Sequence, residues 1–179
     1  MVHYTSTNIF KSLPNFNLKT YPKIFIMTVQ NTYQVNEISV SYKPTFFTEK
    51  ITKIITSKDA HEAIKPFFNQ NTIGLQEQFI VLYLNRSNGI IGIYPMSTGG
   101  ITGTVADVRL ILSVAIKAAA CSIILSHNHP SGNLKPSSQD IDLTIKIKQA
   151  ASFMDIDVAD HIILGNKGQY LSFIDEGFL

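Results

Sequence analysis

The sequence predicts an α+β fold in which a mixed β-sheet is flanked by helices. Short segments rich in β-branched and aromatic residues are separated by turn signals, as expected of strands joined in hairpins. Amphipathic helical segments lie among them, and no β-α-β repeat runs through the chain. With 179 residues, of which 45% are hydrophobic, the chain is long enough to bury one core. A single domain is therefore expected.

Residues 1–34 are predicted to be an N-terminal extension, and residues 35–179 are predicted to form the domain. The first 26 residues carry scattered aromatic side chains with no clear hydrophobic period. Two interpretations stay open for them. Either translation starts at Met27 and the preceding residues are a mis-started upstream segment, or they form a disordered, mobile arm that packs on a partner.

The first half of the domain is predicted to combine strands with one helix. Apolar alternation or β-branched runs mark strand-like segments at residues 35–42, 53–56, 77–85 and 90–97. Ser57 is a suitable N-cap with an apolar face following it, which predicts a helix from there to about residue 69. The Asn88-Gly89 pair favours a tight turn, so the last two strands are expected to form a hairpin.

The second half of the domain is predicted to contain helices, strands and one irregular loop. The helical segments are residues 107–120 and 138–153. The strand segments are residues 122–125, 160–164 and 169–173, the last two joined by a turn at 166–168. Prolines and a glycine interrupt regular structure before residue 137, which predicts a loop there. Loop shape and the rim of a substrate site are assigned to Asn128, Pro130, Ser131 and Gly132.

Three side chains around this loop are candidates for a metal site. His127 and His129 end a buried strand two residues apart, so their rings point to the same side. Ser137 and Asp140 have the spacing of a capping box, which places Asp140 in the opening turn of the next helix. Two imidazoles and one carboxylate, with a fourth position left for water, are typical of a catalytic zinc site. Iron and manganese remain alternatives, and Asp142 is a rival carboxylate about 200° further around the helix.

The same residues resemble a known motif. His127-x-His129, followed after ten residues by Asp140, resembles the JAMM motif of JAB/MPN-type metallopeptidases, and Ser137 fits that motif three positions before Asp140. The string Ser-His-Asn-His-Pro-Ser-Gly at residues 126–132, followed by Lys-Pro-Ser, is similar to the RadC branch of this superfamily. The resemblance covers about residues 35–179. It implies a JAB/MPN domain with a cytidine-deaminase-like three-layer arrangement, one Zn²⁺ per chain, and hydrolysis of a peptide or isopeptide bond.

The resemblance also implies two catalytic roles. Glu77 would be the general acid/base that passes a proton from the activated water to the leaving nitrogen. Ser137 would help to stabilise the tetrahedral intermediate. From the residues alone, Glu77 can also be a solvated carboxylate at a strand edge, and Ser137 a helix N-cap only. Glu62 and Asp107 are weaker candidates for the base.

Other chemically interesting side chains are predicted to be structural. Asp160 and His161 are strand neighbours and should point to opposite faces, with a structural role for His161. Cys121 lies six positions before His127, or roughly 20 Å along a strand, which is too far for a shared ligand shell. As the only cysteine it excludes an internal disulfide, and it is expected to be a small buried residue. No signal-peptide or membrane-spanning pattern is present, so a cytoplasmic location is expected.

The charge balance does not indicate a nucleic-acid or membrane partner, and the peptide or protein substrate is what the resemblance implies. The 15 basic and 13 acidic residues give a net charge of +2, so no strong field draws the chain to nucleic acid or to an acidic membrane. Two alternative functions stay open. One is a RadC-like factor associated with DNA repair or mobile elements, although the N-terminal helix-hairpin-helix region of that pattern is not matched before Glu77. The other is a metal-binding scaffold without catalysis.

Overall fold

The computed structural model describes residues 52–100 and 103–179. The expected N-terminal extension at residues 1–34 and the expected strand at residues 35–42 lie outside the described residues, as does the boundary between them. Within the described part, helices and strands of one mixed sheet follow each other along the chain, and the predicted α+β class is confirmed. Each helix in these ranges is too short or too polar to cross a lipid bilayer.

Five strands form the central sheet. They are β1 (Gln78–Leu84), β2 (Ile90–Thr98), β3 (Ser122–His129), β4 (Asp157–Gly165) and β5 (Tyr170–Ser172). Their order across the sheet is β2-β1-β3-β4-β5. β3 and β4 run parallel, and the other neighbouring strands run antiparallel. The predicted turn joins β1 to β2, and Asn88 takes the positive φ of 59° that such a turn needs.

The helices begin and end where capping and proline chemistry place them. They are α1 (Ser57–Ile64), α2 (Val108–Lys117) and α3 (Ser138–Ser152). The predicted N-cap of α1 is wrong by one residue: Thr56 caps the helix, because it can form a reciprocal capping box with Asp59. The predicted end near residue 69 is also too late. α1 ends at Ile64, since Pro66 has no N–H to continue the helical hydrogen bonds, and a 3₁₀ turn follows.

Alternate residues of β1 face two apolar cores on opposite sides of the sheet. One set packs with α2 and α3: Phe79, Val81 and Tyr83. The other set packs with α1: Ile80, Leu82 and Leu84. β1 is buried along its whole length, as expected of a strand covered on both faces. Each such side chain contributes roughly 1.5–3 kcal/mol when fully buried, so β1 is firmly held beside the candidate site.

β3 begins with the apolar run predicted at residues 122–125 and includes the two histidines expected at its end. It extends to His129, and its parallel pairing with β4 continues as far as His129 opposite Gly165. Polar residues can occupy this extension because they have partners, as when Ser126 Oγ donates to the Ile162 carbonyl at 3.0 Å. Pro130 follows and cannot donate to the ladder, which ends the strand. The single bridge between Lys53 and Gly89 is all that forms of the predicted strand at 53–56.

Candidate metal centre

The end of β3 and the start of α3 bring two imidazoles and a carboxylate together. His127 and His129 lie on the same face of β3, and Asp140 lies in the first turn of α3. One ligand atom from each of the three residues lies within 4.8 Å of the others. The rest of the described residues supply no second cluster of this kind. The three side chains chosen as metal ligands from the sequence are thus neighbours in the fold.

The distances between these atoms suit a common ion. His127 Nε2 and His129 Nε2 are 2.9 Å apart. The Asp140 carboxylate lies 3.2 Å from His127 Nε2 and 3.6 Å from His129 Nε2. Zinc bound tetrahedrally at about 2.0–2.2 Å separates its ligand atoms by roughly 3.4 Å, so shifts of a few tenths of an ångström complete the geometry. His129 and Asp140 are 17% and 15% exposed, which leaves one side of the cluster open to solvent.

A chain of hydrogen bonds determines which nitrogen of His127 carries its proton. Thr144 Oγ1 donates to the Asp140 carbonyl at 2.6 Å, and a carbonyl can only accept. Thr144 therefore accepts from His161 Nδ1, also at 2.6 Å, and His161 Nε2 accepts from His127 Nδ1 at 2.8 Å. His161 is fully buried, and this burial holds its pKa well below the usual 6.5, so the ring is neutral as the chain requires. The network leaves His127 Nε2 with a lone pair facing the cluster.

His129 is prepared in the same way by the loop. Its Nδ1 donates to the carbonyl of Asn133, so its Nε2 also faces the cluster. In their neutral forms, the two imidazoles then point lone pairs at each other across 2.9 Å, beside a carboxylate. Three electron-rich groups at this spacing require a positive charge between them, either a proton or a metal cation. The donor set and the hydrogen bonds behind it therefore fit a divalent cation.

The shifted pKa values of His129 and Asp140 come from the same close contacts between imidazole and carboxylate. The hydrogen bond with Asp140 raises the pKa of His129, although burial opposes it. Burial alone would raise the pKa of Asp140, but the neighbouring imidazoles of His127 and His129 and the hydrogen bond from Ser137 outweigh it and hold this pKa well below its ordinary value. A proton on His129 thus balances the Asp140 carboxylate. A metal bound to the same atoms has to displace that proton.

Glu77 lies beside the cluster without joining it. β1 runs antiparallel to β3 with Phe79 opposite His127, so the start of β1 meets the end of β3. Glu77 immediately precedes β1 and is therefore close to the end of β3 that carries the two histidines. Burial raises the pKa of the Glu77 carboxyl, and the charge of Asp140 adds to this, whereas His127 and His129 oppose it. Glu77 is therefore a half-buried carboxyl within electrostatic reach of all three cluster residues.

Ser137 is bound to Asp140 on both sides of its hydroxyl. Its Oγ accepts from the Asp140 N–H at 3.1 Å and donates to Asp140 Oδ2 at 2.6 Å. The Ser137 N–H donates to the same carboxylate oxygen at 2.7 Å. Ser137 is thus the N-cap of α3 and also orients the carboxylate that faces the imidazoles.

The rival residues lie elsewhere in the fold. Asp142 is exposed, and Glu62 is exposed on α1, which packs against the other face of the sheet. Asp107 caps α2 and pairs with Arg109 at 2.8 Å. Cys121 is half-buried, not fully buried as expected, and immediately precedes β3 at the end away from the histidines. None of them contributes to the cluster formed by the described residues.

His161 and Thr144 are the members of this site that sequence reasoning missed. The predicted opposite orientation of Asp160 and His161 agrees with their contacts, because Asp160 accepts from Ser172 Oγ whereas His161 contacts His127. The structural role expected for His161 overlooked this contact, which depends on β4 pairing in parallel beside β3. The signal available for Thr144 was its position one helical turn after Asp140.

Fold and site together define a class of protein, an α+β domain with a His-His-Asp cluster where a central strand meets the following helix. The profile of one family, the RadC-like JAB domain, matches residues 54–178. The chain belongs to this RadC family.

Curated relatives agree with the family assignment. A UPF0758 protein of Porphyromonas gingivalis is 45% identical over 126 residues, which cover 70% of this chain and 54% of the relative. A UPF0758 protein of Flavobacterium johnsoniae is 43% identical over 128 residues, with 72% and 54% covered. One of Methanosarcina mazei is 36% identical over 135 residues, with 75% and 57% covered. The chain spans about half the length of the curated relatives it matches.

Proposed function

We propose that this chain is a zinc-dependent hydrolase that cleaves a peptide or isopeptide bond with a metal-activated water. The observation that carries the proposal is the hydrogen-bond pattern behind the two imidazoles, which directs both Nε2 lone pairs to one point beside Asp140. A cluster prepared in this way suits a cation that needs two nitrogen ligands and one oxygen ligand. The spacing of these residues also resembles the JAMM motif.

Zinc is the metal that the donor set suits best. Imidazole and carboxylate ligands favour zinc, although iron and manganese accept the same groups. His127, His129 and Asp140 would hold the ion, one per chain, and three protein ligands leave a fourth position for water. When bound, zinc lowers the pKa of that water to about 7 and polarises a substrate carbonyl.

Glu77 is the residue proposed to move the proton. The pKa of its carboxyl is raised towards neutral pH. A group whose pKa lies nearer the working pH can both accept a proton and return it to a leaving amine. Ser137 is proposed to hold Asp140 in place and, by analogy with the JAMM motif, to assist the tetrahedral intermediate with its hydroxyl. A peptide or protein would be the substrate.

A metal-binding scaffold without catalysis would need the three ligands but not Glu77. The half-buried Glu77 carboxyl beside the cluster favours hydrolysis, because burying a carboxyl there serves no purpose in holding the ion. A net charge of +2 gives nucleic-acid binding no separate support, so the role in DNA repair or mobile elements stands on the family label alone.

Zinc content tests the ligand assignment. After removal of metal and reloading, the wild-type chain should bind one zinc, whereas His127→Ala and Asp140→Ala should bind none at the same free concentration. Asp142→Ala, an exposed position on the same helix, is the control and should retain the ion. Stoichiometric zinc in either ligand variant would refute the assignment.

Turnover tests the reaction. A peptide library incubated with zinc-loaded protein should be cleaved, and a chelator should abolish cleavage. Glu77→Gln should retain zinc but lose about 10²–10⁴-fold in kcat, the usual contribution of a general acid/base. Glu62→Gln, an exposed carboxyl on α1, should behave as wild type. Zinc binding without any chelator-sensitive cleavage would instead support the scaffold.

A further inference from the structure

Asn128 lies between the two histidines of β3 but does not face the cluster. It is fully buried, with 0% of its surface exposed, and alternation places it on the face opposite His127 and His129. The expectation that it shapes the loop and the substrate rim is therefore wrong. Its side-chain amide is instead bonded entirely to backbone groups of the segment that leads into β1.

The hydrogen bonds of the Asn128 side chain reach backbone groups on both sides of Glu77. Asn128 Oδ1 accepts from the Gln78 N–H at 2.7 Å, and its Nδ2 donates to the Gln76 carbonyl at 3.0 Å. A third bond from Nδ2 reaches the Ile73 carbonyl at 2.7 Å. The residues immediately before and after Glu77 are thus held by one side chain, which belongs to the strand that carries both histidines.

The Asn128 side chain provides hydrogen bonds where the backbone pairing between β1 and β3 ends. The last registered pair between β1 and β3 is Phe79 opposite His127, so Gln78 and Asn128 lie just beyond it. The Asn128 amide offers an acceptor and two donors at this point, which no other side chain of its size and charge provides. The carbonyl of Glu77 is fixed separately by the Gly99 N–H at 2.7 Å.

We infer that Asn128 is a positioning residue for Glu77: it fixes the backbone on both sides of the acid/base relative to the two histidines. The inference rests on the proposed function and adds to it the residue that couples the acid/base to the metal ligands. A displacement of about 1 Å at a reacting group can cost about 10²-fold in rate. Loss of the Asn128 amide should therefore lower kcat by about that factor and leave KM and zinc affinity within about threefold.

The test compares Asn128→Ala with Asn85→Ala in the full-length chain. Asn85 is a matched control, because its Oδ1 accepts from the Ser87 N–H, the Ser87 hydroxyl and the Gly89 N–H at the other end of β1. Both variants remove a side chain that binds loop backbone. Only Asn128→Ala should lower kcat per bound zinc and speed hydrogen exchange at the Gln78 amide. Equal kcat in the wild type and in Asn128→Ala, measured per bound zinc, would overturn the inference.

Two further measurements apply if the wild type shows no peptidase activity or if Asn128→Ala does not fold. If the wild type cleaves no peptide, the proposed function fails, and the inference is decided by crystal structures of the zinc-loaded wild type and Asn128→Ala. A Glu77 carboxylate that stays at the same distance from zinc in both would overturn it, and a displaced one supports it. If Asn128→Ala does not fold, the rate of hydrogen exchange at the side-chain amide of Asn128 in the wild type tests the inference. Slow exchange of both protons supports the bonds to Gln76 and Ile73, and fast exchange overturns them.

Discussion

Helices α1 and α3 open with the same local motif. In α1, Thr56 Oγ1 accepts from the Asp59 N–H at 3.2 Å, and the Asp59 carboxylate accepts from the Thr56 N–H at 2.8 Å and from its hydroxyl at 2.9 Å. In α3, Ser137 and Asp140 form the same three bonds at 3.1, 2.7 and 2.6 Å. As helix caps, the two pairs are equivalent.

The surroundings of the two carboxylates differ. The Asp59 carboxylate takes one further bond, from the Ile55 N–H at 3.1 Å, and backbone hydrogen bonding at Thr56 is the main cause of its lowered pKa. Asp140 meets the imidazoles of His127 and His129, and these offset its burial. A capping box thus sets the orientation of a carboxylate, and the neighbouring strand decides whether that carboxylate becomes a ligand.

The largest effect is expected when each carboxylate becomes an amide. Asp140→Asn removes the only anionic ligand and should weaken zinc binding by more than about 100-fold, beyond the 10–100-fold typical of losing an outer hydrogen-bond partner. Asp59→Asn should leave zinc affinity within about twofold, since no imidazole depends on it. Competition titrations with a fluorescent chelator measure both constants. Equal losses in the two variants would contradict the distinction drawn between the boxes.

A smaller effect is expected from Thr144, one turn beyond Asp140. Thr144→Val preserves shape but removes the acceptor of His161 Nδ1, which frees the His161 ring and with it the tautomer of His127. Zinc affinity should fall about 10–100-fold, as for other outer partners of metal ligands. Ser172→Ala is the control, because it removes a similarly buried hydroxyl that donates to Asp160 at 2.6 Å. It should lower Tm without changing zinc affinity.

Sequence reasoning succeeded where a few neighbouring residues determine the result. Residues only two or three positions apart determine the geometry of a His-x-His pair at a strand end and of a Ser-x-x-Asp cap. The positions of His127, His129, Ser137 and Asp140 could therefore be predicted from spacing. The cap of α1 was missed because Thr56 and Ser57 are both good caps, and only the Asp three residues after Thr56 distinguishes them.

The parts of the site that sequence reasoning could not supply depend on strand order. Alternation puts Asp160 and His161 on opposite faces, but only the parallel pairing of β4 with β3 brings His161 to His127. Asn128 was misplaced for the same reason, since its partners lie about fifty residues earlier, beyond the end of the β1–β3 ladder. Contacts between distant segments carry no signal in the local pattern.

The pH dependence of zinc affinity should depend on Asp140 and not on Asp59, since only Asp140 shares a proton with an imidazole. The pKa of His129 is raised above 6.5 by its hydrogen bond with Asp140, so below that pKa zinc must displace a proton. Zinc affinity should therefore fall about tenfold per pH unit below the raised pKa and level off above it. Calorimetric titrations in buffers of different ionisation enthalpy count the proton released.

The same proton gives the zinc-free chain the opposite trend. A raised folded pKa means that protonated His129 stabilises the fold fully below its unfolded pKa of about 6.5, and this contribution is lost as pH rises through the folded value. His129→Gln should flatten the stability curve and, because it also removes a zinc ligand, lower zinc affinity at every pH. Asp59→Asn should do neither. A zinc affinity that does not change over this range would show that no proton is displaced.

The smallest effect is expected from the caps themselves. Ser137→Ala and Thr56→Ala each remove an N-cap hydroxyl and should each cost about 1 kcal/mol of stability, the typical value for this substitution. Ser137→Ala should also weaken zinc binding, by less than about tenfold, because the carboxylate of Asp140 loses the hydroxyl donor at 2.6 Å but keeps the Ser137 N–H. Thr56→Ala should leave zinc binding unchanged. Denaturant unfolding of the zinc-free chains and chelator titration separate the two quantities, and a larger zinc loss in Thr56→Ala would reverse the roles assigned to the two helix starts.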